Sequence, residues 1–232
     1  MMLLYLEYRR FTMKKNSTEL AFILDKSGSM HGLEKDTIGG FNSMLEKQKA
    51  AEGECRVTTV LFDSSCTVLH DRIDIAAVRP MTDEDYCAGG STALLDAVGT
   101  TIDKIRNVQK NSAEEGRAEK VLFVIITDGM ENSSREYSLR NVRSMIEEQR
   151  KNGWEFVFLG ANIDAVETAG DLGISRDLAA DYVPDREGTF MNFCAVADAV
   201  SDYREMGCLK CECLSKVREY HRKHGGRKSS GK

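Results

Sequence analysis

Residues 120–128 read KVLFVIITD, an apolar run from Val121 to Ile126 that ends on a hydroxyl and a carboxylate. A strand with one wet face alternates apolar and polar side chains. A run without alternation is buried on both faces, as in the central strands of a parallel sheet covered by helices. LAFIL (20–24) and FVFL (156–159) have the same form. RVTTVLF (56–62) and CTVLH (66–70) are separated only by Asp63, Ser64 and Ser65, a gap that permits only an antiparallel hairpin. LAADYV (178–183) is a weaker strand.

Helical periods fill the intervals. Ile38, Phe41 and Leu45 share one face, as do Leu95, Val98, Ile102 and Ile105. Residues 138–151, 163–172 and 187–206 read as further helices, the last carrying Phe190, Phe193, Cys194, Ala197 and Val200. The pattern predicts an α/β fold: a three-layer, doubly wound, Rossmann-like sheet, mostly parallel, with one antiparallel edge strand.

With 41% hydrophobic and 30% charged residues over 232 positions, the composition is that of a soluble globular chain with one good-sized core. The net charge of −5 gives no reason to expect nucleic-acid binding. The charge is uneven, because from Leu214 onward Lys216, Arg218, Arg222, Lys223, Arg227, Lys228 and Lys232 face only Glu219, a basic end behind an acidic body. No apolar run reaches the ~20 residues of a membrane span. MMLLYLEYRRFTMKK is apolar first and basic afterwards, the reverse of a secretory signal, and Met13 is a more economical start, which makes residues 1–12 an extension within the N-terminal segment 1–17. Seven cysteines without a signal peptide point to reduced thiols in a cytoplasm. Cys55, Cys66 and Cys194 fall in strand-like or helix-like patterns and read as small buried hydrophobes.

Ligands of such sheets bind at the carboxyl ends of the central strands. After LAFIL come Asp25, Ser27 and Ser29; after VLFVIIT comes Asp128; before the long middle helix stands Thr92 in AGGSTALLDAV. These are two carboxylates and three hydroxyls, hard oxygen donors that suit Mg²⁺ better than Zn²⁺. A P-loop lacks its glycines and lysine, and no G-x-G-x-x-G follows a strand. A phosphotransferase aspartate would need a second Asp where Ser27 stands. The G-x-S-x-G elbow is absent, and no EF-hand spacing occurs.

D-K-S-G-S, G-G-S-T-A-L and I-T-D-G, in that order, resemble a von Willebrand factor A domain with its metal-ion-dependent adhesion site (MIDAS). The resemblance covers about residues 18–206, and within it the stretch LGANIDAVETAGDLGI (159–174) resembles small intracellular bacterial members. It implies a metal set of Asp25, Ser27, Ser29, Thr92 and Asp128, the last acting through a water, with Mg²⁺ or Mn²⁺ bound. It also implies a protein partner that presents an Asp or Glu carboxylate, and a binding module, not an enzyme. A metal-dependent hydrolase or phosphotransferase on the same rim is the alternative, and a structural domain with a vestigial site is a third reading.

Met30, His31, Met130, Glu131, Asn162 and Asp164 flank these loops and are candidates for a partner-binding rim, with a helix cap an equal reading for Asn162 and Asp164. Asp96, in a first helical turn, reads as dipole stabilisation, and His70 as structural. In the 207–232 tail, Cys208, Cys211 and Cys213 followed by His221 and His224 could assemble a tetrahedral zinc site. The alternative is a helical continuation with incidental thiols, ending in a disordered HGGRKSSGK.

Overall fold

The computed structural model describes residues 16–225. The readings made on 1–15 and 226–232, the Met13 start among them, lie outside the described residues. The strands are β1 (Ser17–Asp25), β2 (Glu54–Phe62), β3 (Cys66–Asp74), β4 (Lys120–Thr127), β5 (Glu155–Gly160) and β6 (Ala179–Asp181). The helices are α1 (Glu34–Lys49), α2 (Leu94–Asn111), α3 (Leu139–Lys151), α4 (Ala165–Asp171), α5 (Arg186–Met206) and α6 (Ser215–His224). The strands form one sheet in the order β3-β2-β1-β4-β5-β6, parallel throughout except for the β2–β3 pair.

The unbroken apolar runs occupy the centre because each feeds two cores. Leu20, Phe22 and Leu24 of β1 point into a core shared with Phe41 of α1, Phe193 and Val200 of α5, and Val217 of α6. Ala21 and Ile23 point into the opposite core, with Val98 and Ile102 of α2 and Val142 and Ile146 of α3. This is the predicted doubly wound, three-layer fold. Close helix packing requires Gly40, where a Cβ would stand 2.3 Å from the Phe193 ring. Gly207, in the left-handed region at φ 74°, ends α5.

Several details differ from the sequence expectation. β3 runs on through the polar HDRID because an edge strand tolerates polar side chains on its open side. Its Arg72 adopts φ 49° beside a register shift and sends its guanidinium to the buried Glu19 of β1, with Nη2 2.9 Å from Oε2. β6 is shorter than read, since Pro184 and the α5 N-cap Asp185 follow closely. Cys55 is buried as expected, but Cys66 opens the edge strand and is exposed, and Cys194 is half-buried. The chain beyond Met206 returns to the core: Leu214 is 0% and Val217 2% exposed, and Arg218 donates to the carbonyls of Asp177 (2.6 Å) and Ala179 (3.1 Å).

The end of α1 is held by a buried cation. Arg204 of α5 is 2% exposed and donates to the carbonyls of Gln48 (2.5 Å), Ala51 (3.2 Å), Glu52 (3.2 Å) and Gly53 (3.1 Å). These are carbonyls at or just beyond the negative end of the helix, so the charge and the orphan acceptors satisfy each other. Arg204→Met strands several buried acceptors and is expected to cost about 3–5 kcal/mol in urea unfolding, with the fold otherwise retained by circular dichroism.

A candidate metal centre at the carboxyl end of the sheet

The strand order reverses between β1 and β4, because β1 pairs with β2 on one side and β4 with β5 on the other. Asp25 is the last residue of β1, and Asp128 directly follows β4; each is 1% exposed. Both carboxylates therefore stand at the switch point, where such sheets open a crevice.

Asp25 is held from three sides. Its Oδ1 accepts the Ser27 N–H (2.7 Å), its Oδ2 accepts the Thr127 hydroxyl (2.6 Å), and its carbonyl accepts the hydroxyl of buried Tyr86. Residues 28–30 form a single 3-10 turn that Ser27 precedes without a side-chain capping bond. The Ser27 hydroxyl instead lies 3.1 Å from that of Ser29, which donates to Asp128 Oδ1. The Gly28 N–H bonds the Gly90 carbonyl at 3.1 Å, tying the first loop to the loop that carries Thr92.

Thr92 does not cap α2. The N-cap is Ala93, with no side-chain cap bond; the Leu95 N–H goes to Glu131 Oε2 at 2.9 Å. Asn132 holds Thr92 at the backbone from both directions, accepting its N–H (2.9 Å) and donating to its carbonyl (3.0 Å). A Cβ on Gly129 would stand 3.2 Å from Thr92 Oγ1 and 3.5 Å from Ser29 Oγ, so both hydroxyls border the space that the glycine leaves open. The structure thus brings all five sequence-predicted residues together. They could offer a cation only hard oxygens: two carboxylates and three hydroxyls.

The electrostatics of the cluster are unbalanced. Burial raises Asp128 from 3.8 to about 6; the Ser29 hydrogen bond opposes this, and the charge of Asp25 adds to it. Asp128 Oδ2 is buried without a hydrogen-bond partner, and among the described residues neither carboxylate has an ion pair. The nearby Lys26 is spent on Asp63 at 2.6 Å.

The flanking residues divide. Met130 is 72% exposed, His31 and Asn162 are exposed, and Asn162 donates to the Asp128 carbonyl at 3.4 Å. Asp164 is exposed but caps α4, accepting the Glu167 N–H at 2.8 Å. Met30 and Glu131 do not line a rim. The 3-10 turn directs Met30 into the core, 2% exposed, and the Glu131 carboxylate is consumed by the N–H groups of Leu95, Ser133 and Ser134. Asp96 does more than face the helix dipole: it accepts the N–H groups of Arg135, Glu136 and Tyr137. His70 is structural, with its two ring nitrogens 3.0 Å from Thr59 Oγ1 and from the Arg79 carbonyl.

Thr127 and Tyr86 were missed in the sequence. A lone hydroxyl closing a buried apolar strand was the available signal for Thr127; Tyr86 comes from a loop with no pattern. In the tail, Cys208 and Cys211 are exposed, Cys213 packs against the core, and His224 stacks on Tyr220. The structure does not bring these residues and His221 together: among the described residues, no three His, Cys, Asp or Glu side chains gather as a metal site.

No protein-family model and no curated protein matches the chain. Solved structures do. Proximal thread matrix protein 1 from the mussel byssus, with a zinc-occupied MIDAS motif, superposes with a TM-score of 0.54 at 15% identity, over 80% of this chain and 46% of that one. The vWF domain of the type V pili tip protein Mfa5 from Porphyromonas gingivalis gives 0.57 at 11% identity, over 85% and 99%. Manganese-loaded Plasmodium vivax TRAP protein gives 0.51 at 15%, over 78% and 74%. The chain spans about half the length of the byssus protein and nearly all of the pilus-tip domain. Its fold is that of a von Willebrand factor A domain.

The raised Asp128 gives a signed expectation for metal-free protein. A carboxyl whose folded pKa lies above its unfolded value is penalised once charged, so the penalty is absent below about pH 4 and complete above about pH 6. In EDTA, Asp128→Asn is expected to stabilise the protein by about 2–3 kcal/mol at pH 7.5 and by little at pH 4, read by urea unfolding at both values.

Proposed function

We propose that this domain binds Mg²⁺ or Mn²⁺ through Asp25, Ser27, Ser29, Thr92 and Asp128, and uses it to recognise an Asp or Glu side chain on a protein partner. One observation carries the reading. Two buried carboxylates stand side by side with three hydroxyls, and among the described residues Asp128 Oδ2 has no partner and neither carboxylate has an ion pair. When bound, a divalent ion there supplies an electrophilic position for an incoming carboxylate.

The chain's own residues supply the geometry. Ser27 N–H and Thr127 orient Asp25, and Ser29 orients Asp128. Gly129 keeps the approach free of side-chain bulk. Exposed Met130 and Asn162 border the approach and are proposed contacts for the partner, with His31 and Asp164 farther out. Binding is favoured over hydrolysis because the adjacent imidazole, His31, pairs on the surface with Glu34 at 3.1 Å. The structural neighbours include a pili tip protein and a pilus adhesin, which supports a role in protein interaction. The free cysteines support a cytoplasmic setting.

At Mg²⁺ or Mn²⁺ concentrations about 100-fold above Kd, the melting temperature is expected to rise by roughly 5–10 °C. Asp25→Asn and Thr92→Ala should each lose most of that rise while keeping the fold. Equal metal-induced shifts in wild type and both variants would remove the site assignment. A pull-down in Mg²⁺ against EDTA then tests the partner: capture should require the cation and fail with Thr92→Ala.

A further inference from the structure

We propose that the opposite end of the sheet carries a second site, for a small, multiply charged phosphate such as pyrophosphate. A cleft of about 460 Å³ opens there between the last turns of α2 and α3, lined by Arg106, Gln109, Lys110, Arg117, Gln149 and Trp154 among others. Three of these are cations, and none is a carboxylate.

Of the carboxylates near this cleft, Asp103 and Glu148 engage the same cation, Arg106. Asp103 lies 2.6 Å from Arg106 and also accepts the Tyr137 hydroxyl, while Glu148 stands 3.9 Å from the same guanidinium. Among the described residues, Lys110 and Arg117 have no ion pair. Gln109 Oε1 accepts the Ala118 N–H at 3.0 Å, which leaves its Nε2 group as a buried donor with no acceptor. The lining therefore offers charge and N–H donors in excess of acceptors, and the arginine forks match phosphate oxygens two at a time.

Helix ends compete as an explanation, because cations favour the negative ends of α2 and α3. That accounts for Lys110. It accounts only in part for Arg117, whose Nε donates to the carbonyl of Ser112, the C-cap of α2, at 3.1 Å while its two Nη groups have no partner among the described residues, and it does not account for the orphan Gln109 amide. The nearby carbonyls are also already taken: Val108 by Ser112 N–H, Gln149 by Trp154 N–H, and Arg150 by Gly153 N–H. Lys110 and the Nη groups of Arg117 are left for something else. The volume lies within the range of small-molecule sites.

Trp154, the single tryptophan of the chain, lines this cleft and stacks on Phe123 with centroids 5.6 Å apart, so all tryptophan emission arises beside the site. Full-length protein in EDTA is titrated with pyrophosphate at constant ionic strength. The expected result is a saturable change in emission, with apparent affinity about tenfold weaker in Arg117→Ala and lost in Lys110→Ala/Arg117→Ala. Thr92→Ala, at the other end of the sheet, should respond as wild type does. No saturable change up to about 10 mM pyrophosphate would overturn the proposal. So would an equal response to chloride at matched ionic strength, or an undiminished response in the double variant.

Discussion

Asp25 and Asp128 emerge from adjacent parallel strands and are almost wholly removed from water, with no basic side chain paired to either among the described residues. Two such carboxylates repel each other and lose hydration, a cost that folding must offset elsewhere. The surrounding structure is arranged around that cost. Thr127 and the Ser27 N–H satisfy Asp25, the Ser29 hydroxyl partly satisfies Asp128, and Tyr86 anchors the first loop by its carbonyl. One oxygen, Asp128 Oδ2, is left unanswered. Local strain of this kind is characteristic of sites whose balance depends on a ligand.

The third loop shows how the position is made rigid. Glu131 and Asp96 exchange roles across the start of α2. The first is in the loop and takes a helix N–H; the second is in the helix and takes three loop N–H groups. Ser134 completes the strap by accepting the Asp96 N–H and donating to Glu131. Because Thr92 and Asp128 lie at the two ends of this strapped unit, their separation does not depend on flexible chain. The likeness to metal-loaded von Willebrand factor A structures at 15% identity or less shows that the fold outlasts sequence, but such likeness speaks for the scaffold alone.

Along the other axis of the molecule, charge is distributed for different ends. Arg204 is buried against carbonyls and serves only the fold, whereas Arg117 gives one N–H to the Ser112 carbonyl and, with Lys110, stands in an open cleft without acidic partners among the described residues. The distinction rests on what faces each cation, a property that charge counting along the chain cannot supply.

The sequence by itself determined the layer order of the domain. Unbroken apolar runs at 20–24, 121–126 and 156–159 can be satisfied only by cores on both faces, and a three-residue gap can join β2 to β3 only as a hairpin. It also marked the five oxygen-bearing residues, because each stands where a strand or helix changes to loop. The tertiary structure alone decided what those residues do. Met30 sinks into the core and Glu131 becomes a helix cap, because a 3-10 turn and a cross-loop hydrogen bond, both invisible to periodicity, redirect them. Thr127 and Tyr86 gain their roles only because β1 lies beside β4 and the 79–91 loop brings the Tyr86 hydroxyl to the Asp25 carbonyl. The tail's thiols and imidazoles, close in sequence, are held apart because α6 packs through Leu214 and Val217. Spacing along a chain fixes which side chains can meet within an element; which meet across elements is set by packing.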